Sequence, residues 1–240
     1  MNNLKEKENR KVRTTTKRRK ATLDDGCNPE LVAGARFDGI FQIPVIEKPD
    51  RIIVPKYIVP FSERNRASDA NVAIGFQEMD VRFADVLIDP NRYVEDFGRF
   101  SVLISPDCSL YRDSPLAVQI TNVYRNRAIG GYFQRRGQYV IPQIRWGNEW
   151  TYTKKVLPEK IAFLGAPKHS ILAISTYGCI RHREDKVHFK AGLEAMLETL
   201  EPEVVLVYGS MPDPVFEDYR HLTEFVQYEN WMRLRHGGVR

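Results

Sequence analysis

The sequence predicts an α/β fold: an open, largely parallel sheet of four to five strands with flanking helices, preceded by an irregular Pro-rich arm and a disordered basic tail. Two observations carry this. Short Val- and Ile-rich runs, each closed by a turn signal, recur after Ser68, and amphipathic helical patterns separate them, which is the pattern of βαβ crossovers. A third observation limits the count. A closed eight-fold barrel takes about 250 residues, and the ordered part of this 240-residue chain holds too few units, so an open, doubly wound sheet is expected.

Residues 1–21 form the basic tail and residues 22–240 a single α/β domain, divided into an extended arm (22–68) and a βα core (69–240). The arm carries Pro29, Pro44, Pro49, Pro55 and Pro60 among short apolar pieces, and each proline removes a donor and extends its predecessor. Ala84–Ile88 reads as a short strand before Asp89-Pro90, and Ser101–Ser105 as a better one. Ser114-Pro115 then opens a helix with Leu116, Ile120, Val123 and Tyr124 at helical spacing, which Gly130-Gly131 is expected to kink or end. Strands follow at Tyr139–Ile144, Ile171–Ser175 and Val204–Tyr208. A helix from Glu184 to Leu200 stripes Phe189, Leu193, Met196, Leu197 and Leu200, and a last helix is expected from Pro214 to Arg235.

Composition excludes several classes. Hydrophobic residues at 42% and charged residues at 28% exclude wholesale disorder. No apolar run reaches the roughly 18 residues of a membrane span, and no apolar segment follows the basic start, so neither a membrane partner nor a secretory signal is read. Cys27, Cys108 and Cys179 lie far apart and are odd in number, which points to a reducing, cytoplasmic setting. The net charge of +5 is uneven: nine basic residues against Glu6 and Glu8 give the first twenty residues +7, leaving −2 for the rest. Clustered cations such as Lys17, Arg18, Arg19 and Lys20 suit the phosphate backbone of nucleic acid; the plainer alternative is a solubilising extension.

In parallel sheets ligands bind beyond the carboxyl ends of the strands. Residues 105–113, which follow the second of these strands, are dense in polar groups. Asp107 there suits a general base, a water-orienting carboxylate or a metal ligand, and equally a turn residue capping the next helix. Ser109 and Tyr111 share the loop; Asn122 and Arg125 stand on the following helix, facing a cleft or solvent. Arg145 with Trp146 suits an anion beside a planar ring, or a surface Arg stacked on Trp, and Tyr177 offers a further stacking face. Cys179, His182 and His188 lack a recognised zinc spacing and a fourth ligand, so no metal is assigned, and no cofactor is legible. The P-loop, dinucleotide-binding, nucleophile-elbow and zinc-protease motifs are all missing from the sequence.

The stretch Ser105-Pro-Asp-Cys-Ser-Leu-Tyr-Arg-Asp-Ser-Pro115, with Gln119-Ile-Thr-Asn122, Tyr124-Arg125, Val140-Ile-Pro142, Trp146 and Ile174-Ser-Thr-Tyr-Gly178, resembles domain-of-unknown-function family 4417 over roughly residues 34–214. The resemblance implies a phage or mobile-element setting, with a role around nucleic acid or host defence. Asp107 and Tyr111 are also loosely similar to a loop pair of uracil-DNA glycosylases, but no His-Pro-Ser motif follows the last strand and no Pro-Tyr adjoins Asp107. Three functions are therefore expected in turn: a nucleic-acid-associated enzyme using Asp107 (a base-processing enzyme of the glycosylase type among them), a non-catalytic protein binding nucleic acid or a host protein, and a small-molecule enzyme.

Overall fold

The computed structural model describes residues 28–67 and 71–231, so the tail with Lys17, Arg18, Arg19 and Lys20 lies outside the described residues, as does the end of the helix expected up to Arg235. The arm begins with a small antiparallel hairpin of β1 (Phe37–Asp38) and β2 (Ile43–Pro44). The parallel strands follow in chain order. They are β3 (Tyr57–Pro60), β4 (Val72–Gly75), β5 (Val102–Ile104), β6 (Val140–Ile141), β7 (Ile171–Ser175), β8 (Val204–Tyr208) and β9 (Glu224–Tyr228). Between them run α1 (Ala84–Ile88), α2 (Val94–Gly98), α3 (Leu116–Gln134), α4 (Glu149–Tyr152), α5 (Arg183–Leu200) and α6 (Asp213–Phe216).

β3 to β6 form one parallel ladder and β7 to β9 another. Gln143 pairs with Ala173 across the gap, the Ile144 N–H donating to the Ala173 carbonyl at 2.7 Å and the Ala173 N–H to the Pro142 carbonyl at 3.0 Å. The two ladders thus read as one wall of seven strands.

Strand side chains alternate between two environments. Ile58, Ala73, Ile104, Ile141, Ala173, Leu206 and Tyr228, one from each strand β3 to β9, share an apolar cluster in which no helix residue takes part. The intervening residues face outward: Val59, Ile74, Leu103 and Val140 pack with Ile129 and Phe133 of α3, while Leu172, Ile174, Val205 and Val207 pack with Leu193, Met196 and Leu197 of α5. A sheet whose one face fills itself has curled round on itself, as in a barrel. No ladder joins β9 to β3, so the sheet stays open at that seam. There the Tyr228 hydroxyl, at the end of the last strand, donates to the Pro55 carbonyl just before the first at 2.6 Å, an offset of the kind strand tilt requires.

The α/β class and the parallel sheet stand as expected, and several details are corrected. The strands number seven, and their order never reverses, so the sheet is not doubly wound. Val72–Gly75 is a strand that the sequence reading passed over; Ala84–Ile88 is a helix instead of a strand; and Glu224–Tyr228 is a strand where a helix was expected. For β9 the helical spacing of Leu222, Phe225 and Val226 competes with a two-residue alternation, in which Val226 and Tyr228 face the interior cluster while Phe225 faces α6. Nor does Gly130-Gly131 break α3, which continues to Gln134. A Cβ on Gly130 would lie 2.5 Å from Ile46 Cδ1 and 2.8 Å from Ser105 Cβ, so its bare backbone serves close packing.

Candidate functional site

The loop after β5 is pinned from several sides. Asn126, buried on α3, donates from Nδ2 to the Pro106 carbonyl at 2.6 Å and to the Gln143 carbonyl at 3.0 Å, tying the ends of β5 and β6 together. Asp80 accepts from both the Ser109 N–H (3.1 Å) and the Ser109 hydroxyl (2.7 Å), and Asn122 Nδ2 donates to the Ser109 carbonyl at 2.6 Å. Asp107 is thereby held under the mouth of the barrel, only 4% exposed, where Arg145 Nη1 donates to its Oδ2 at 2.7 Å.

Arg145 leaves the end of β6 on the interior side, two residues after Gln143 and four after Ile141. Its Nη2 stands 3.5 Å from Cys179 Sγ beyond β7, and its side chain keeps 22% of its surface exposed. Burial works against the guanidinium, but Asp107, Cys179 and Asp80 favour its charge and hold it above the ordinary range. Burial pushes the Asp107 carboxyl up; Arg145 opposes this, Asp80 adds to it, the Gln143 amide opposes it, and the net direction is upward. Burial likewise raises the Cys179 thiol despite Arg145, and it raises the Cys108 thiol strongly. Cys108 is 2% exposed, an inert core thiol.

Above this pair opens a cleft of about 190 Å³, whose walls include Tyr111, Arg112, Gln143, Arg145, Trp146 and Cys179. Asp185, His188 and Phe189 from the first turns of α5 also line it, with the Asp185 carboxylate accepting from the His182 N–H at the start of the helix. Trp146 packs on Phe189 with ring centroids 4.9 Å apart, and a Cβ on Gly192 would fall 2.1 Å from Trp146 Nε1. Tyr111 is 62% exposed at the rim. Arg112 reaches across to Asp185 at 2.9 Å, linking the β5 loop to α5.

Of the residues singled out from sequence, the fold brings Tyr111, Arg145 and Trp146 into this cleft, with Asp107 underneath, supporting Arg145 but not on the cleft wall. Tyr177 lines a neighbouring cleft of about 320 Å³ with Arg181, Gly209, Ser210 and Glu229; the two share Gly178. Ser109 donates to Asp80 and accepts from Asn122, and Arg125 Nη1 lies 3.4 Å from Asn122 Oδ1, outside the cleft wall. Sequence reasoning missed Gln77, Asp80 and Gln143. Gln143 had a signal, since Ile141, Gln143 and Arg145 share one strand parity. Among the described residues no group of three or more His, Cys, Asp or Glu side chains is placed to hold a metal, and no helix is long and apolar enough to cross a membrane.

The chain belongs to the family described as "Domain of unknown function (DUF4417)", whose model matches residues 35–229. It is 29% identical over 198 residues to the "Gene 1 protein" of Mycobacterium phage L5, covering 81% of this chain and 82% of that one. It is 32% identical over 173 residues to the "Gene 1 protein" of Mycobacterium phage D29, covering 72% of this chain and 60% of the D29 protein, less than two thirds of its length. No solved structure matches. The protein is thus of a phage type.

Proposed function

We propose that this phage-type protein associates with nucleic acid, its basic tail holding backbone phosphate while the cleft at the strand ends takes a single nucleotide unit. One observation carries the reading. Arg145 is a partly exposed guanidinium fixed by a buried carboxylate, and it opens into a cleft walled by Trp146 and Tyr111. A guanidinium so anchored presents its remaining N–H groups to an anion with little ordering cost, and an aromatic wall beside it accepts a flat ring.

Within this reading Asp107 is first a positioning residue: it holds Arg145. A catalytic role as acid or base is favoured by its upward-shifted carboxyl, since perturbed carboxyls gather at functional sites.

The test compares the full chain with a 22–240 truncation and an Arg145→Lys variant for binding to single-stranded oligonucleotides across a salt series. The expected result is a steep salt dependence that flattens on truncation, together with a salt-insensitive loss in Arg145→Lys. If neither change alters binding, the reading fails. Altered nucleic-acid products that vanish in Asp107→Asn would establish the catalytic role, and unchanged turnover in that variant would end it.

A further inference from the structure

The cleft of about 320 Å³ at the ends of β7, β8 and β9 is not used by the proposed nucleotide unit, yet it adjoins the first across a tight turn. In that turn the Cys179 N–H donates to the Thr176 carbonyl at 3.0 Å, and Gly178, in third place, has φ +78°, where glycine is favoured. Cys179 lines the first cleft, Tyr177 the second, and Gly178 both. A Cβ on Gly178 would meet nothing within 4 Å, so the crest between the clefts is bare backbone under open space. A ligand can cross it at close range.

The turn is firmly held. Thr176, only 2% exposed, donates from Oγ1 to the Ser210 carbonyl at 2.8 Å, and the Tyr177 N–H donates to the Ser175 hydroxyl at 3.2 Å. The Tyr177 ring stands edge-on to the buried Tyr208, centroids 6.2 Å apart, and the residue is still 52% exposed. A ring fixed at its backbone and against one neighbour, with the rest open to a cleft, is a stacking surface with little left to order. Arg181 and Glu229 both line this cleft, so its charge is mixed, and a flat neutral group suits it better than a phosphate. The first cleft, with Arg145, has the complementary preference. Taken alone, its 190 Å³ also falls short of the roughly 300–1,000 Å³ of a typical small-ligand pocket.

We propose that the second cleft is a subsite for the neighbouring nucleotide of a single strand, its base stacked on Tyr177 and the linking phosphodiester passing over the Gly178 crest. The ligand is then a strand of at least two units and not a free mononucleotide. Stacking accepts any base, because every base has a flat face, so this subsite adds affinity and strand length without adding sequence preference. This inference rests on the proposed nucleotide-binding reading and adds to it the class of the ligand.

The test is a calorimetric titration of the full chain at high salt, where the contribution of the basic tail is screened. The probes are the 5′-phosphorylated mono- and dinucleotides of deoxythymidine and of deoxyadenosine, together with dinucleotides in which one unit is abasic. The expected result is that a dinucleotide binds about tenfold or more tightly than its mononucleotide, the order of gain one stacked base gives, and that removing either base cancels the gain. Tyr177→Ala should bring the ratio of the two affinities to about one, whereas Tyr177→Phe, which keeps the ring, should preserve it. If dinucleotides bind no more tightly than mononucleotides, or if abasic dinucleotides bind as well as intact ones, the second subsite is overturned while the one-nucleotide cleft stands. A ratio that survives in Tyr177→Ala overturns the assignment to that ring. If none of the probes binds, the nucleotide reading itself falls and takes this inference with it.

Discussion

Two arginines, the buried Arg127 and the partly exposed Arg145, sit on neighbouring elements and have different surroundings. Arg127 is 1% exposed, and its guanidinium donates to the carbonyls of Leu164 (3.0 Å), Gln143 (2.9 Å) and Ala162 (3.2 Å) and to Asn126 Oδ1 (2.5 Å). No carboxylate is among these partners, and burial brings its pKa down to about 10. Arg145 has the opposite surroundings: a carboxylate partner, a thiol neighbour, a charge held above the ordinary range, and open space in front. An arginine that spends its donors on backbone carbonyls is a rivet between loops. One that is held by a single carboxylate at the edge of a cleft keeps donors for a ligand. Exposure separates the two, 1% for Arg127 against 22% of the Arg145 side chain, and the identity of the acceptors separates them again.

The sharpest way to break this comparison is to remove each arginine. Arg127→Leu should cost about 3–5 kcal/mol of stability, because it removes four hydrogen bonds at once and takes the Arg127 donors from the Leu164 and Ala162 carbonyls, while the Gln143 carbonyl and Asn126 Oδ1 keep Asn126 Nδ2 and the Ser105 hydroxyl. The check is a shift in the denaturant midpoint at unchanged slope. Arg145→Met should cost less, about 2–3 kcal/mol, since Asp107 can take up a proton once its partner is gone. The double variant Asp107→Leu/Arg145→Met should recover most of that loss while binding no nucleotide, which would separate the pair's functional value from its structural one. If the double variant is as unstable as Arg127→Leu, Arg145 is a rivet too.

Gly192→Ala sharpens the cleft wall. The added methyl would press on the Trp146 indole, costing about 1–3 kcal/mol and displacing the ring, to be read as a shift in tryptophan emission alongside the denaturation curve. The smallest effect concerns pH. The folded-state Asp107 carboxyl is raised, so its contribution to stability is fully present below the ordinary aspartate range near pH ~4 and is lost as pH rises through its folded value. The stability difference between Asp107→Asn and the wild type should therefore move in favour of the variant across that rise, and a pH-independent difference would show that the carboxyl titrates normally.

The same contrast explains what was legible in the sequence. Ile171–Ser175 and Val204–Tyr208 appear as strands with the bounds their Val- and Ile-rich runs imply, because both faces of a parallel strand are buried and the signal is continuous. β4 and β9 were hidden for different reasons. Val72–Gly75 is only four residues long, and in Glu224–Tyr228 the Phe225 and Val226 pair together with Leu222 also fits a helical stripe. Curling of the sheet was invisible because it depends on how seven strands twist together, not on any one of them. The rule that ligands gather at strand ends pointed to Tyr111, Arg145 and Trp146, which line one cleft, and to Asp107, which lies beneath it. It could not show that Asp107 lies beneath Arg145, nor that Gln77 and Gln143 meet, since those contacts join residues 38 and 66 positions apart.

The central claim is that Arg145 is a ligand-binding arginine oriented by Asp107. The most direct test is isothermal titration of the tightest-binding nucleoside monophosphate into the wild type and Arg145→Lys, with thermal unfolding recorded on the same samples. Lysine keeps the charge and loses the planar fork. The account predicts an affinity loss of about tenfold or more with the melting temperature shifted by only a few degrees. Unchanged affinity, or a collapse in stability like that expected for Arg127→Leu, would contradict it.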